Sequence, residues 1–352
     1  MFNDIYKGKR VLVTGHTGFK GSWLSLWLDR LGAEVIGYGH PPSTIPNHHT
    51  LLGNVFPRGA DLLNKEFLFS AVRNFKPDII FHLAAKAIVA RTFKEPQETF
   101  ENNVMGAVNI LEACRLYPSV KGIVMITTDK VYENKEWAWG YRENDDLGGL
   151  DPYSASKVCI EHVIECYRSK FFPMIATARA GNVIGGGDWA YKRLIPDIMR
   201  ATAEGKPVEV HTPYATRPWQ HVIEPLCGYL MLGQKLLEHG KDCEPFNSTS
   251  IRSNFARRWN FGTEGEMTVL DVLKVAKEVW PKIEYVVKEE ETHPSMVQLL
   301  KIDSTEAKRK LGWKPRWGME EAIRRTVEWY RAYYSTGGIL SHKDISDYEG
   351  EL

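Results

Sequence analysis

The sequence has no long apolar run, few cysteines and almost no net charge, and each absence excludes a class of protein. No uninterrupted apolar stretch approaches the roughly 20 residues of a membrane span, and the opening MFNDIYKGKR lacks the apolar core of a signal peptide. The five cysteines form no CxxC pair, and their odd number argues against a disulfide framework. We therefore expect a cytoplasmic protein with reduced cysteines and no membrane partner.

The charges are balanced, because 45 lysines and arginines face 44 aspartates and glutamates. A balanced chain creates no overall field that would attract nucleic acid or an anionic membrane. We therefore expect no nucleic-acid partner and a small molecule as the ligand. With 352 residues, 43% of them hydrophobic, the chain can bury one large core or two medium ones.

Short β-branched runs alternate with stretches of helical periodicity along the first half of the chain. Strands are predicted at 9–15, 33–39, 78–85, 121–128 and 173–181, and helices at 19–32, 64–75, 96–116 and 153–170. Apolar strands that alternate with helices predict an α/β fold, a doubly wound parallel sheet covered on both faces.

The pattern changes near residue 185 to shorter elements rich in proline and aromatic residues, ending in a helix near 319–334. We therefore expect two regions. Residues 1–184 form the sheet domain, and residues 185–352 form mainly a smaller, partly interleaved cap that binds substrate, with some segments returning to the sheet domain.

The stretch TGHTGFKG (14–21) places glycines at 15, 18 and 21 between the first strand and the first helix. A tight turn needs residues without a Cβ, and a helix N-terminus favours the negative charge of a pyrophosphate. At the first βα turn this predicts a Rossmann-like dinucleotide site rather than an ordinary turn. The predicted cofactor contacts in it are Gly15, His16, Thr17, Gly18, Phe19 and Gly21.

The end of the second predicted strand indicates which dinucleotide binds. Tyr38-Gly39-His40 offers neither the usual ribose carboxylate nor an arginine for a 2′-phosphate, so NAD is favoured over NADP. Asp61, followed by Leu62, is a candidate adenine contact, and an acid at a helix N-terminus is an equally good interpretation.

Two short motifs carry candidate catalytic groups. DPYSASK (151–157) places Tyr153 and Lys157 on one helix face, where a close lysine would lower the tyrosine pKa from about 10 toward neutrality. TTDK (127–130) ends a predicted strand, at the edge of the sheet where ligands bind in such folds.

These motifs, with HLAA (82–85), NNVMG (102–106) and RPWQHV (217–222), resemble the extended short-chain dehydrogenase/reductases over nearly the whole chain. Longer stretches, including TTDKVYEN, GYRENDDLGG and ARAGNVIGGGDWA, are similar to the nucleotide-sugar 4,6-dehydratases of that family. The resemblance implies NAD, a homodimer and a nucleotide sugar, CDP-D-glucose, as substrate. Another nucleotide sugar remains an alternative, because 86–92, 211–216 and 295–298 depart from the expected pattern.

The resemblance also implies catalytic roles. Tyr153, supported by Thr128 and Lys157, would deprotonate the C4 hydroxyl as NAD⁺ takes the C4 hydride. Asp129 would protonate the departing C6 hydroxyl, and Lys130 would remove the C5 proton or stabilise the enolate. NADH would then return hydride to C6. Further implied cofactor contacts are Leu83, Ala84, Ala85 and Asn103, implied substrate contacts are Lys86, Asn182, Arg193, Arg217 and His221, and no metal is expected.

Two other functions remain open. A 4-epimerase of the same fold would need Tyr153 and Lys157 but no acid and base at 129–130, and a nucleotide-binding sensor would not need all of Thr128, Asp129, Tyr153 and Lys157. The aromatic residues Trp189, Tyr191 and Trp219 could either stack on a base or fill the core of the cap. The predicted helices 96–116 and 153–170 carry more apolar surface than one sheet face can cover, which is consistent with the homodimer.

Overall fold

A six-stranded parallel sheet forms the centre of the molecule in the computed structural model, which describes residues 2–53, 61–172, 174–239, 253–288 and 300–352. Its strands are β1 (Arg10–Thr14), β2 (Glu34–Tyr38), β3 (Ile79–His82), β4 (Gly122–Ile126), β5 (Ile175–Arg179) and β10 (Arg258–Asn260), in the spatial order β10-β5-β4-β3-β1-β2. All residues of β3, β4 and β5 are buried, as expected when helices cover both faces. The predicted doubly wound parallel sheet is confirmed.

The helices of the first half connect successive strands. They are α1 (Phe19–Arg30), α2 (His48–Leu51), α3 (Lys65–Phe75), α4 (Val89–Thr92), α5 (Pro96–Phe100), α6 (Gly106–Leu116) and α7 (Pro152–Lys170). A π-helical turn at Glu101–Met105 joins α5 to α6, and a 3₁₀ turn at Asp129–Val131 follows β4. The predicted helix 96–116 is therefore one run of helical backbone with a change of hydrogen-bond pattern inside it.

The second half combines short strands with longer helices. The strands form two-stranded pairs: β6 (Val183–Ile184) with β9 (Gln220–His221), β7 (Val208–Val210) with β12 (Tyr285–Val287), and β8 (Thr216–Arg217) with β11 (Met267–Thr268). The helices are α8 (Leu194–Ala203), α9 (Ile223–His239), α10 (Val269–Val279), α11 (Met319–Thr336) and α12 (Ser341–Gly350). Within the described residues, no helix is both long enough and apolar enough to cross a membrane.

Segments after residue 185 return to the sheet domain. Strand β10 pairs with β5 as an edge strand of the central sheet, which the sequence pattern did not predict, and α9 packs on β4. The indole of Trp23 in α1 donates a hydrogen bond to the carbonyl of Gly186 (2.9 Å), and that of Trp27 donates to Glu349 (3.0 Å). Both halves of the chain therefore contribute to one continuous core.

Candidate active site

The turn between β1 and α1 is closed by contacts that only glycine permits. Gly15 has a φ of +71°, and its amide donates a hydrogen bond to the carbonyl of Tyr38 (2.8 Å). A Cβ on Gly21 would lie 2.1 Å from the Gly15 carbonyl oxygen, so no side chain fits there. Gly18, in contrast, is exposed at the N-cap of α1. The unpaired amides of the first helical turn and the open backbone beside them form a suitable cradle for a pyrophosphate.

The side chains of His16 and Thr17 support this turn against β2. The His16 ring lies over Gly37, where a Cβ would be 2.2 Å from the imidazole, and burial lowers the pKa of His16 to about 4. The Thr17 hydroxyl donates to the carbonyl of His40 (2.8 Å). The structure thus holds the predicted contact residues in place mainly by packing, leaving the backbone for a ligand.

The segment after β3 lies directly against the glycine turn. The Ala84 amide donates to the hydroxyl of Thr14 (3.2 Å), which also shares a hydrogen bond with Nδ1 of His82 (2.8 Å). A Cβ on Gly15 would lie 2.7 Å from the Ala84 nitrogen. The predicted contacts Leu83, Ala84 and Ala85 therefore form a second wall of the same cleft.

Asn103 ties this wall to α7. Its Oδ1 accepts a hydrogen bond from the Lys86 amide (2.8 Å), and its Nδ2 donates to the hydroxyl of Ser156 (2.9 Å). The side chain is fully buried. Asn103 therefore fixes the position of the helix that carries Tyr153 and Lys157.

Asp61 lies beyond the end of β2. Its backbone carbonyl accepts a hydrogen bond from the Tyr38 hydroxyl (3.0 Å), and its Oδ1 accepts from the Leu63 amide (2.9 Å). The carboxylate is 42% exposed, so it stays open to a ligand, whereas Leu62 is buried against Gly106. Helix α3 begins at Lys65 with Asn64 as its N-cap, so Asp61 lies three residues before the N-cap and is not an acid at the helix N-terminus.

Thr128 and Asp129 begin the 3₁₀ turn that follows β4, and both are buried. The Thr128 hydroxyl donates to Oδ1 of Asp129 (3.0 Å), and the Lys130 amide donates to that hydroxyl (3.3 Å). A Cβ on Gly181 would be 1.7 Å from Oδ2 of Asp129, so the carboxylate packs directly on the backbone that follows β5. This packing holds the acid at the carboxyl edge of the sheet.

Helix α7 brings Tyr153 and Lys157 to the same place. It begins at Pro152, and its N-cap residue Asp151 accepts a hydrogen bond from the Ser154 amide (3.0 Å). The Lys157 ammonium donates to the carbonyl of Ile126 at the end of β4 (3.0 Å). The start of α7 is therefore fastened to the strand that precedes Thr128 and Asp129.

The expected effect of Lys157 on the Tyr153 pKa is wrong for the protein by itself. Burial raises the pKa of Tyr153 to about 12, the nearby Asp129 carboxylate adds to the rise, and a hydrogen bond with Thr128 opposes it. Burial likewise lowers the pKa of Lys157 to about 8, helped by the nearby positive charge of Lys20. The ammonium that was expected to act on the tyrosine is held by a backbone carbonyl instead.

Lys130 differs from its neighbours, because its side chain is exposed. Within the described residues it forms no side-chain hydrogen bond or ion pair. Asp129 and Lys130 are therefore not a paired acid and base in the protein alone: the acid points into the site and the amine into solvent.

Three of the predicted substrate contacts surround this group. Arg193, the N-cap residue of α8, donates to Oδ2 of Asp188 (2.9 Å) and keeps 39% of its side chain exposed. Arg217 donates to the carbonyl of Thr216 (2.6 Å), and burial lowers its pKa, an effect that Asp129 opposes. Asn182 adopts a left-handed φ of 50° immediately after the Gly181 backbone that Asp129 contacts.

Two other predicted substrate contacts are placed differently. The Lys86 ammonium forms ion pairs with Glu95 (2.7 Å) and Glu98, so its charge is already compensated. His221 is fully buried in the core between Trp23 and Trp317, and burial lowers its pKa to about 3. The position of His221 favours packing over substrate contact, a correction to its predicted role.

The aromatic alternatives are separated by burial. Trp189 is buried against Trp329 and Tyr333, and Trp219 is buried near β11, where its indole donates to the carbonyl of Met267 (3.3 Å). Tyr191 is 69% exposed, with the guanidinium of Arg200 4.4 Å from its ring centre. Of the three rings, Tyr191 alone presents an open surface.

Two functional features were not predicted. Lys20, in the first turn of α1, lies within electrostatic range of Asp129, Arg193 and Lys157. Its place between the second and third glycines of the turn is a feature of the sequence that could have identified it as a site residue. The second feature is a fully buried ion pair in which Arg179 donates to Glu161 (2.9 Å). Glu161 also accepts from Thr127 (2.7 Å), which braces the backbone just before Thr128.

No group of three or more histidine, cysteine, aspartate or glutamate side chains within the described residues is arranged to hold a metal ion. The described cysteines are free thiols: Cys114 and Cys227 are buried, and Cys159 and Cys166 are exposed. Cys243 and the atypical stretch 295–298 lie outside the described residues.

Comparison with known proteins identifies the family. Residues 12–326 match the family described as GDP-mannose 4,6 dehydratase. The chain belongs to this family. A CDP-glucose 4,6-dehydratase of Salmonella typhimurium is 42% identical, with 98% of this chain and 97% of that protein aligned. A dTDP-glucose 4,6-dehydratase of the same organism is 28% identical over 78% of each chain. The chain is therefore a nucleotide-sugar 4,6-dehydratase of the hydro-lyase class.

Solved structures show the same fold in proteins with a different activity. The UDP-glucose 4-epimerase of Thermotoga maritima, determined with UDP-glucose, superposes with a TM-score of 0.78 at 24% identity, covering 92% of this chain and 98% of that one. The UDP-glucose 4-epimerase of Thermus thermophilus, in complex with NAD, gives 0.76 at 25% identity, covering 92% and 99%. The extended short-chain dehydrogenase/reductase fold predicted from the motifs is confirmed.

Proposed function

We propose that this dehydratase converts CDP-D-glucose to CDP-4-dehydro-6-deoxy-D-glucose, using NAD. The observation that carries the proposal is the position of Asp129, buried beside Tyr153 and Thr128 at the carboxyl edge of the sheet. Oxidation at C4 alone needs the tyrosine, whereas elimination of the C6 hydroxyl also needs a proton donor. The choice of CDP-glucose is supported by the 42% identity to the Salmonella enzyme along nearly the entire chain.

The residues present fit a nicotinamide dinucleotide. Gly15 and Gly21 close the turn tightly against backbone atoms, Gly18 leaves an open cradle beside the first turn of α1, and the segment at Leu83, Ala84 and Ala85 provides a second wall. We propose NAD rather than NADP because Tyr38-Gly39-His40 supplies no arginine for a 2′-phosphate. When bound, the nicotinamide supplies the redox chemistry, accepting hydride from C4 and returning it at C6.

Different side chains of the protein carry out the separate proton transfers of the reaction. Tyr153 first loses its own proton to solvent, and as the phenolate it takes the proton from the C4 hydroxyl, while Thr128 holds its oxygen by a hydrogen bond. Lys157, one helical turn after Tyr153 on α7, is oriented by the Ile126 carbonyl and supplies a positive charge on the same face of the helix. A ketone at C4 acidifies the C5 hydrogen, so Lys130 can remove that proton or stabilise the enolate while Asp129 protonates the departing C6 hydroxyl.

The substrate's diphosphate and sugar would meet Arg193, Arg217 and Asn182. A guanidinium binds phosphate oxygens through its planar fork, and Arg217 lies near Asp129 and Arg193 near Tyr153, the two groups proposed to act on the hexose. Asn182 can donate a side-chain hydrogen bond from the same edge. Lys86 is a weaker candidate, since Glu95 and Glu98 neutralise it.

One experiment tests the proposed function against a 4-epimerase and against a binding protein without catalysis. The protein is incubated with CDP-glucose and NAD⁺, and the nucleotide sugars are analysed by mass spectrometry. Loss of one water from CDP-glucose is the expected result. An unchanged mass with a changed configuration at C4 would identify an epimerase, and an unchanged substrate would contradict the dehydratase proposal.

We also propose that the enzyme is a cytoplasmic homodimer. The π-helical turn and α7 present exposed apolar or weakly polar side chains, including Met105 (44% exposed), Cys159 and Cys166. Cys159 and Cys166 are seven residues apart in α7, so they lie on one face. A pair of such helices from each of two subunits can cover these faces as a four-helix bundle.

A further inference from the structure

Lys20 is a basic residue inside the glycine turn that the catalytic scheme does not use. It lies in the first turn of α1, between the exposed N-cap Gly18 and the closely packed Gly21. Its side chain is mostly withdrawn from solvent, yet within the described residues it forms no ion pair or side-chain hydrogen bond. A buried ammonium without a partner costs stability, so its presence calls for a ligand.

The backbone after β5 brings Lys20 to the catalytic group. Gly181 packs against the carboxylate of Asp129, and four residues later a Cβ on Gly185 would lie 3.2 Å from the ring of Phe19, the neighbour of Lys20. The segment 181–185 thus contacts Asp129 at one end and the first turn of α1 at the other. Lys20 is therefore on the sugar side of the cleft, whereas Asp61 and His40 lie beyond the end of β2.

The charges around Lys20 do not balance. Lys20 interacts electrostatically with Asp129, Arg193 and Lys157, and Arg217 also interacts with Asp129. These four cations face Asp129 and the Asp188 that pairs with Arg193, while Glu161, which also interacts with Lys157, is paired with Arg179, so two positive charges are left over. Burial, together with the nearby Arg193, lowers the pKa of Lys20 to about 8. A dianionic ligand would compensate this excess.

We infer that Lys20 binds the diphosphate of the nucleotide sugar, at the phosphate next to the hexose. The ammonium donates hydrogen bonds to phosphate oxygens from the α1 side of the cleft, while Arg193 and Arg217 approach from the cap side. The same turn thereby serves two ligands: its backbone amides face the dinucleotide and its lysine side chain faces the substrate. This inference rests on the proposed function, because it requires a nucleotide sugar in the site.

The alternative source of a diphosphate is the dinucleotide itself. Position in the fold argues for the sugar, because the charged groups in range of Lys20 are Asp129, Arg193 and Lys157, which belong to the reacting centre. The two sources make opposite predictions about which ligand loses affinity when the ammonium is removed.

The test measures dissociation constants for CDP-glucose, CDP and NAD⁺ by titration calorimetry. The proteins are wild type, Lys20→Met, Lys20→Arg and the control Lys282→Met, whose lysine is exposed in the turn after α10. Because a hydrogen bond to a charged group contributes about 1.5–3 kcal/mol, Lys20→Met should bind CDP-glucose and CDP roughly 10- to 150-fold more weakly. NAD⁺ affinity should stay within about twofold, Lys20→Arg should recover part of the loss, and Lys282→Met should match wild type.

Each other outcome has a defined meaning. Weaker NAD⁺ binding with intact CDP-glucose binding would assign Lys20 to the cofactor and overturn the inference. Unchanged affinity for both ligands in Lys20→Met would make it a packing residue and also overturn it. If wild type binds NAD⁺ but neither CDP-glucose nor another nucleotide sugar, the proposed function itself fails. Thermal unfolding of each variant, with Lys20→Gln as a second substitution, shows whether the fold is retained.

Discussion

Asp129 is buried just after β4 and Tyr153 is partly buried beside it on α7, whereas Lys130, the residue after Asp129, is exposed. Burial raises the pKa of the Tyr153 hydroxyl to about 12, so its ionisation costs more than that of an exposed tyrosine. The positive charge of Lys157 is held on the Ile126 carbonyl nearby. At this scale the protein provides a positioned phenol and a positioned acid, and the amine of Lys130 must reach the substrate from outside.

Replacing Tyr153 with phenylalanine should stop the reaction at its first step. Without the phenol the C4 hydroxyl keeps its proton, so C4 is not oxidised and the later elimination has no ketone to depend on. We expect turnover to fall by about 10²–10⁴-fold. Rapid-scan absorbance with CDP-glucose and NAD⁺ should show no reduced nicotinamide. Appearance of that absorbance at the wild-type rate would exclude Tyr153 as the base.

Asp129→Asn and Lys130→Ala should instead affect elimination. Both variants keep Tyr153 and Lys157, so C4 oxidation should continue while release of water slows by about 10²–10⁴-fold, the range for a lost general acid or base. Reduced-nicotinamide absorbance should therefore accumulate and persist in both. The two variants share every other group of the site, so each is a matched control for the other.

Exchange of the C5 hydrogen with solvent deuterium distinguishes the two residues. Lys130→Ala should lose this exchange if the amine removes the C5 proton or stabilises the enolate, and Asp129→Asn should keep it. Because the Lys130 side chain is exposed, a catalytic role requires it to reach C5 of the bound sugar, and the exchange experiment tests this directly. Exchange at the wild-type rate in Lys130→Ala, with normal product release, would leave the amine without a catalytic role.

At the scale of elements, the β1–α1 turn depends on two glycines in different ways. A Cβ on Gly21 would lie 2.1 Å from the Gly15 carbonyl and 2.8 Å from the His16 Cα, both backbone atoms that cannot move aside. A Cβ on Gly18 would meet only the Gly15 carbonyl, at 3.3 Å. Gly21 therefore closes the turn, and Gly18 leaves open space beside it.

Gly21→Ala should therefore destabilise the protein, by about 2 kcal/mol or more in unfolding free energy, whereas Gly18→Ala should stay near wild type. Urea unfolding of both variants measures this difference. Gly18→Ala should still weaken NAD⁺ binding in calorimetry, because its methyl group enters the cradle. Equal stability of the two variants would show that the turn relaxes around a side chain at position 21.

At the scale of the whole molecule, Glu224 links α9 to the C-terminal segments. Its carboxylate accepts hydrogen bonds from the amides of Arg316 (2.9 Å) and Trp317 (2.7 Å) and from the hydroxyl of Tyr348 (2.8 Å). Burial nevertheless raises the pKa of Glu224 to about 7. The carboxyl group therefore keeps its proton in the folded protein at pH values where the unfolded chain has lost it.

Because the pKa of Glu224 is higher in the folded protein, this group stabilises the fold fully at pH values below its unfolded-state pKa, near 4.5. The stabilisation is lost as the pH rises through about 7. Glu224→Gln removes the titration. Relative to this variant, wild type should lose about 2 kcal/mol of unfolding free energy between pH 5.5 and 8. Urea unfolding at the two pH values measures it. A constant difference would place the pKa of Glu224 outside this window.

The proposed homodimer is tested by light scattering at micromolar concentration. Wild type should give twice the mass of the chain, and Met105→Glu, which places a charge in the exposed face beside α6, should shift the protein toward monomer. Val286→Glu is the matched control, because Val286 is also exposed (48%) but lies on β12 in the cap. A wild-type monomer, or dissociation caused equally by both substitutions, would contradict the interface.

Local pattern in the sequence determined the elements of the sheet domain and the identity of the chemistry. The run PMIATARAG predicts β5 because a strand buried on both faces is mostly apolar. The glycines of TGHTGFKG predict the turn because a close backbone approach excludes a Cβ. Tyr153, Asp129 and Lys157 could be named from motifs at fixed spacing. These features depend on neighbours within a few residues, so they are readable from the chain alone.

Tertiary structure alone decided which groups meet and which are exposed. Strand β10 joins the central sheet from residues 258–260 because an edge position is available beside β5, and nothing in its three residues announces this. Trp189 and His221 are buried in the core, whereas Tyr191 is exposed. Burial also raised the pKa of Tyr153, although its spacing from Lys157 in the sequence had suggested a lower pKa. Lys20 and Asp129, more than one hundred residues apart in the sequence, come within electrostatic range of each other. Burial and long-range charge depend on the packed fold, which is why local pattern could not supply them.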